Sequence, residues 1–203
     1  MNYITIGRFT LPADLLAAFA AIFIGALIYR SREKKSIGDW YWNSFFLYIA
    51  IYKLSYAVFN FKMFLDTPFS LLYFNGGTEG QILAFAGIAI YLFMISKKKD
   101  NMVNGKEFLP AYFLFYLLYW TGLFVFSEDY TAACVQAILW IAFAALYFKK
   151  VWLTMEYAIL FLMLEALILS LFSDLLTVEN MLIFALGIFL IVFHRLNKEE
   201  LQL

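Results

Sequence analysis

Seven long apolar stretches, separated by short polar connectors, occupy almost all of this 203-residue chain. About twenty apolar residues cross a bilayer as one helix, at roughly 1.5 Å of rise per residue. Hydrophobic residues make up 65% of the chain, against about half of a soluble domain. The sequence therefore predicts an all-α integral membrane protein in which residues 1–203 form a single membrane domain. The predicted transmembrane helices run approximately over Phe9–Tyr29, Trp40–Phe64, Gly80–Ser96, Phe108–Phe126, Thr131–Phe148, Val151–Phe172 and Val178–Phe193.

The basic residues collect after alternate apolar stretches. Twelve of the 15 lysines and arginines follow the first, third, fifth and seventh stretches: Arg30, Arg32, Lys34, Lys35, Lys97, Lys98, Lys99, Lys106, Lys149, Lys150, Arg195 and Lys198. By the positive-inside rule these residues lie in the cytoplasm, which places the N-terminus outside and the C-terminus inside. Topology alone accounts for the clusters, and recognition of anionic lipid is the second interpretation.

Cysteine and histidine are nearly absent from this chain. The single cysteine, Cys134, cannot form an internal disulfide, and the single histidine, His194, ends the last apolar stretch. A metal site usually needs several such ligands close together. We therefore expect no metal site. We also expect no cofactor and no nucleic-acid partner.

Two ionisable residues lie deep within predicted spans. Lys53 is thirteen residues beyond Trp40, about 20 Å along its helix, and Glu165 is fourteen residues beyond Val151 on a helix of the same direction. Charges at membrane depth usually face protein or water and have a partner. We therefore expect Lys53 and Glu165 to form an ion pair or to share one polar cavity. The alternative is that Lys53 extends to the outer headgroups.

Tyr56 and Asn60 follow Lys53 at offsets of three and seven residues, which places the three side chains on one helical face. A stripe of amine, phenol and amide that opens toward the outer leaflet is suited to a lipid phosphate or a carboxylate. The alternative is a hydrogen-bonded seam between helices, which is common in membrane bundles.

Part of the sequence resembles a known family. Ile51–Phe59 reads Ile-Tyr-Lys-Leu-Ser-Tyr-Ala-Val-Phe, and Tyr73–Gln81 reads Tyr-Phe-Asn-Gly-Gly-Thr-Glu-Gly-Gln. These segments are similar to the Gly-Ala-Arg-Leu-x-Tyr-Val-Leu-Phe helix and the Trp-Glu-Gly-Gly and His-Gly loop of the bacterial prolipoprotein diacylglyceryl transferases. Weaker similarities lie at Ile4–Gly7, at Tyr130–Ala137, and at Tyr157 with Glu165. The resemblance implies seven helices with the N-terminus outside, in the bacterial cytoplasmic membrane.

The departures from the family concern the residues that the resemblance implies are catalytic. Those enzymes transfer diacylglyceryl from phosphatidylglycerol to a lipoprotein thiol, which requires a base and cations around the phosphate. The family's loop histidine is replaced by Gln81, or by Glu79 if two residues are deleted, and its helix-six arginine by Phe161. Asp14 stands where the family has a tyrosine, and the outer head region is reduced to Ser127–Asp129. The resemblance thus implies a diverged member that has lost the reaction, a pseudoenzyme.

We expect this chain to bind a membrane lipid, a lipidated peptide or a membrane partner, such as a lipoprotein, in an outward-facing groove. The expected ligand-binding residues are Lys53, Tyr56, Asn60, Asn75, Gly76, Gly77, Glu79, Gln81 and Glu165. One alternative is an active lipid- or lipoprotein-modifying transferase that uses Glu79 as an acid–base group. The other is a component of a small-substrate membrane transporter.

Overall fold

The computed structural model describes residues 3–6, 9–70, 76–97, 107–149 and 155–200. Within these ranges a short β-hairpin precedes eight helices, so the fold is helical apart from its first residues. The strands are β1 (Tyr3–Ile6) and β2 (Phe9–Pro12). The helices are α1 (Ala13–Glu33), α2 (Asp39–Phe59), α3 (Phe61–Asp66), α4 (Gly77–Ser96), α5 (Phe108–Phe126), α6 (Tyr130–Phe148), α7 (Met155–Phe172) and α8 (Val178–Glu200).

The hairpin displaces the start of the first helix. β1 and β2 pair antiparallel, with Tyr3 opposite Pro12 and Ile6 opposite Phe9. The expected helix start at Phe9 is therefore wrong, and α1 begins at Ala13. Alternating β-branched and polar residues favour strands, and Pro12 ends the hairpin where the helix begins.

Five helices in the described ranges are long and apolar enough to cross a membrane, which supports a multi-pass membrane protein. They are Ala13–Glu33, Gly77–Ser96, Phe108–Phe126, Tyr130–Phe148 and Val178–Arg195. α2 and α7 complete the seven predicted spans but are not among these five. α2 carries Asp39, Asn43 and Lys53 among its tyrosines and tryptophans, which lowers its mean hydropathy. The predicted start of the sixth span, Val151, lies outside the described residues, and α7 is described from Met155 to Phe172.

The second predicted span, Trp40–Phe64, is interrupted near its end. α2 stops at Phe59, and the Asn60 N–H donates to the carbonyl oxygen of Tyr56 as the last bond of the helix. The short helix α3 follows at once. The prediction of one continuous helix to Phe64 is therefore wrong, because the apolar run continues past the point where the backbone turns.

Side-chain caps fix two helix starts. Asp129 accepts a hydrogen bond from the Ala132 N–H at the start of α6, and Thr177 accepts one from the Asn180 N–H at the start of α8. Such caps satisfy N–H groups that have no partner inside the helix.

The chain divides into two compact units. The first comprises Met1–Ile37, Lys106–Leu175 and Leu190–Leu203, and the second comprises Gly38–Gly105 and Leu176–Phe189. In the first unit α5 packs against α1 and α6, and α7 lies next to α6. In the second unit α2 packs along α4. The single membrane domain over the whole chain stays a prediction.

Candidate functional site

A buried polar pair joins α6 and α7 in the first unit. Gln136 and Glu165 are both fully buried, at 0% exposure. The Gln136 Nε2 donates to both carboxylate oxygens of Glu165, at 2.9 Å each. An ionisable group in an apolar bundle needs such donors, because water cannot reach it. Glu165, which the sequence singles out, is thus held by an amide of the neighbouring helix.

Tyrosines of α5 border this pair. The rings of Tyr112 and Tyr116 stack with centroids 5.4 Å apart, and both phenols lie within electrostatic range of the Glu165 carboxyl. The Gln136 Oε1 is buried and has no hydrogen-bond partner among the described residues. The site therefore has two ordered hydrogen bonds and one acceptor atom that is not satisfied.

Phe161 lies one helical turn before Glu165, where the resemblance would place an arginine. It is 4% exposed and packs against Phe113 of α5 and Phe143 of α6. The ring centroids of these three residues lie 5.5 to 6.1 Å apart. This position is therefore part of an aromatic core and provides no cation beside the Glu165 carboxylate.

The polar stripe expected on α2 is shorter than predicted. Lys53 is half-buried and Tyr56 is buried, and both lie on α2. Asn60 is exposed and lies at the break between α2 and α3, so it does not continue the helical face. Asn75, another expected ligand residue, lies outside the described residues.

The double glycine shapes the start of α4. The Gly76 N–H donates to the Tyr52 carbonyl at 2.9 Å, and a Cβ on Gly76 would lie 2.8 Å from the Cβ of Ser55. Gly77 has a φ of +61°, a left-handed conformation that favours glycine. The close approach of Ser55 thus explains Gly76, and the left-handed backbone explains Gly77. Their contact with a ligand stays a prediction.

The two remaining loop candidates lie in the first turns of α4. Glu79 is exposed, and Gln81 is half-buried. An exposed carboxylate at a helix N-terminus is stabilised by the helix dipole. Among the described residues, no three His, Cys, Asp or Glu side chains come together as metal ligands would.

Sequence reasoning missed Gln136. It lies in the Tyr130–Ala137 segment that carries one of the weaker similarities, and it is an amide within an apolar helix, which was a signal that could have found it. Lys53 belongs to the second unit and Glu165 to the first, and their expected pairing stays a prediction.

A second polar cluster lies at the basic end of the first unit. The Arg32 guanidinium lies 4.0 Å from the ring centroid of Tyr147, and Lys35 forms an ion pair with Glu107. Tyr29 is buried beside the same Glu107 carboxyl. These contacts join the ends of α1, α5 and α6, which indicates a structural role.

No family model, curated protein or solved structure matches this chain.

Proposed function

We propose that this protein binds a membrane lipid, or the lipid-modified end of a peptide or partner protein, without transferring diacylglyceryl. It crosses the bacterial cytoplasmic membrane seven times, with its N-terminus outside and its C-terminus in the cytoplasm. Its architecture is that of the prolipoprotein diacylglyceryl transferases. Its ligand enters from the outer side.

The burial of Phe161 in an aromatic cluster supports the part of this proposal that denies diacylglyceryl transfer. Phosphatidylglycerol is a diacylglyceryl donor only if its phosphate departs as an anion, and cations stabilise that charge. Phe161 packs against Phe113 and Phe143, and Glu165 one turn later accepts hydrogen bonds from the neutral amide of Gln136. This part of the chain offers carboxylate, amide, phenol and phenyl groups, which are suited to binding and packing and poorly suited to stabilising a leaving phosphate.

The membrane setting of this proposal is supported by the surface that the helices present. Large apolar side chains are exposed along the helices, among them Phe23 and Leu27 on α1 and Ile138 on α6. Soluble monomers rarely expose apolar patches of this extent, whereas surfaces that face lipid do so along their whole length. These helix surfaces are therefore suited to contact with lipid hydrocarbon.

Cysteine accessibility tests the orientation. Cys134 is first replaced by alanine, and single cysteines are introduced as Ser36→Cys and Glu128→Cys. In intact cells a membrane-impermeant maleimide should label Glu128→Cys directly and Ser36→Cys only after permeabilisation. The reverse labelling would reject the N-terminus-out arrangement.

A lipid-retaining purification followed by native mass spectrometry tests binding, and a lipobox peptide supplied with phosphatidylglycerol tests transfer. We expect a retained lipid or lipidated partner and no diacylglyceryl thioether product. Turnover that is lost with Glu79→Gln would instead establish the transferase alternative. Copurification of an ATPase with no bound lipid would favour the transport alternative.

A further inference from the structure

A groove runs between α2 and α4 within the second unit. Its volume is about 320 Å³, and its lining residues are Asn43, Phe46, Leu47 and Ala50 of α2 with Tyr91 of α4. Ligand sites in proteins usually have volumes of roughly 300 to 1,000 Å³ and combine apolar walls with a few polar groups. The groove has this kind of lining and lies at the lower limit of size, but it is wide open rather than enclosed, which suits an extended chain that lies along its surface.

The polar and apolar groups of the groove are ordered by depth. Asn43 lies four residues into α2, about 6 Å from its start, and Tyr91 lies five residues before the end of α4, about 8 Å from that end. Ala50 lies about 16 Å into α2. The amide and the phenol therefore lie near one membrane surface, and the apolar walls extend toward the middle of the bilayer.

The groove opens onto a surface suited to hydrocarbon. On α4, Ile90 lies one residue before Tyr91 and Met94 three residues after it, and they are 60% and 66% exposed. Lys97 follows the end of α4 and lies over the ring of Phe93, at 4.7 Å from its centroid. A basic residue at this level attracts anionic headgroups.

We propose that this groove binds one acyl chain of a diacyl phospholipid from the leaflet on the side of the basic loops. Phe46, Leu47 and Ala50 contact the chain, and the Asn43 amide and the Tyr91 hydroxyl donate hydrogen bonds to the ester region. This site is distinct from the outward-facing one. It rests on the proposed function only in that α2 and α4 cross the membrane.

Cross-linking in vesicles tests the site. The full-length protein is reconstituted with a phosphatidylglycerol that carries a diazirine in one acyl chain, irradiated, and digested for mass spectrometry. Cross-links should concentrate on the 46–50 peptide of α2. Ala50→Phe fills the groove and should lower the yield at this peptide roughly tenfold, the effect of losing about 1.4 kcal/mol of binding.

Ala86→Phe is the matched control, because Ala86 is an exposed alanine of α4 that does not line the groove. This variant should leave the yield at the 46–50 peptide unchanged, and both variants should keep the melting temperature of the parent. A yield that is even over all exposed positions, and indifferent to Ala50→Phe, would mean bulk lipid only and would overturn the proposal. Diacylglyceryl transfer in the peptide assay would reject the proposed function while leaving this result intact.

A double variant tests the roles of the Asn43 amide and the Tyr91 hydroxyl. Asn43→Leu combined with Tyr91→Phe removes both donors while keeping the walls. The yield with the phospholipid probe should fall roughly thirtyfold, because two hydrogen bonds, about 2 kcal/mol together, are lost. The yield with a diazirine alkane should not fall. An equal loss of cross-linking yield for both probes would show that these two donors do not bind the ester region.

Discussion

Replacing Gln136 and Glu165 together should destabilise the protein less than the sum of the two single replacements. In Gln136→Leu both oxygens of Glu165 lose the Nε2 donor, and in Glu165→Leu the Gln136 amide is left buried without an acceptor. A buried polar group without a partner costs about 1 to 3 kcal/mol, whereas replacing both partners by apolar groups is nearly neutral. Hydrogen bonds between membrane helices are measured at about 0.6 to 1.7 kcal/mol. We therefore expect a coupling free energy of about 1 to 2 kcal/mol between these two side chains.

The measurement is a double-mutant cycle on the purified protein. Unfolding by sodium dodecyl sulfate in mixed micelles, followed by circular dichroism, gives the free energy of unfolding of the parent, the two single variants and the double variant. Asn43→Leu serves as a control, because it removes an exposed amide and should change the stability by less than about 0.5 kcal/mol. Additive losses in the cycle would refute the interaction, and so would a Gln136→Leu variant as stable as the parent.

Three further predictions concern other contacts. Gly80→Ala should destabilise the second unit by about 1 to 3 kcal/mol, because the new Cβ overlaps the Ser55 Oγ, and Ser55→Ala should restore most of this loss in melting temperature. Phe161→Arg should cost about 3 kcal/mol or more in unfolding free energy, since it buries a charge in an aromatic cluster, and it should confer no transfer on a lipobox peptide. If Lys53 pairs with Glu165, the double alanine variant should be more stable than either single one.

Each of these has an outcome that would contradict it. Gly122→Ala is the control for the glycine substitution, because its Cβ would meet the Ala17 Cβ at an ordinary 3.5 Å, and a loss as large as that of Gly80→Ala would remove the steric explanation. A Phe161→Arg variant as stable as the parent would contradict the cost of burying this charge, and transfer gained by it would show that the rest of the chain still assembles a working site. Strictly additive losses for the two alanine variants would reject the ion pair.

Hydropathy placed the middle of each long helix correctly and some of the ends wrongly. α5 was predicted at its observed residues, Phe108–Phe126, because polar residues bound it on both sides. The hairpin strand Phe9–Pro12 was assigned to a helix, since a short apolar run has no period that separates strand from helix. At the other error, the chain returns to apolar residues directly after Asn60, with Phe61, Met63 and Phe64, so hydropathy gave no end to the helix there.

The candidate site could be predicted only in part, because hydropathy singles out a charged residue within a helix but not a neutral amide. Glu165 was identified because a carboxylate at membrane depth is costly and must be satisfied. Its partner was not, because the Gln136 amide carries no charge and changes the hydropathy of α6 little. The short connector between α6 and α7 favours neighbouring antiparallel helices, so a search for polar residues on those two helices alone would have found the pair.

Helices in lipid gain little from the hydrophobic effect, so small residues and polar pairs must hold them together. In the second unit small residues do this, since Gly76 and Gly80 let α4 approach Ser55 of α2. In the first unit a buried polar pair joins α6 to α7. Loss of function after substitution of Gly76 would therefore report on helix packing even if a ligand lies nearby. Glu79 is exposed, and substitutions such as Glu79→Gln and Gln81→Ala leave the α2–α4 glycine contacts intact, so these residues distinguish ligand contact from scaffold.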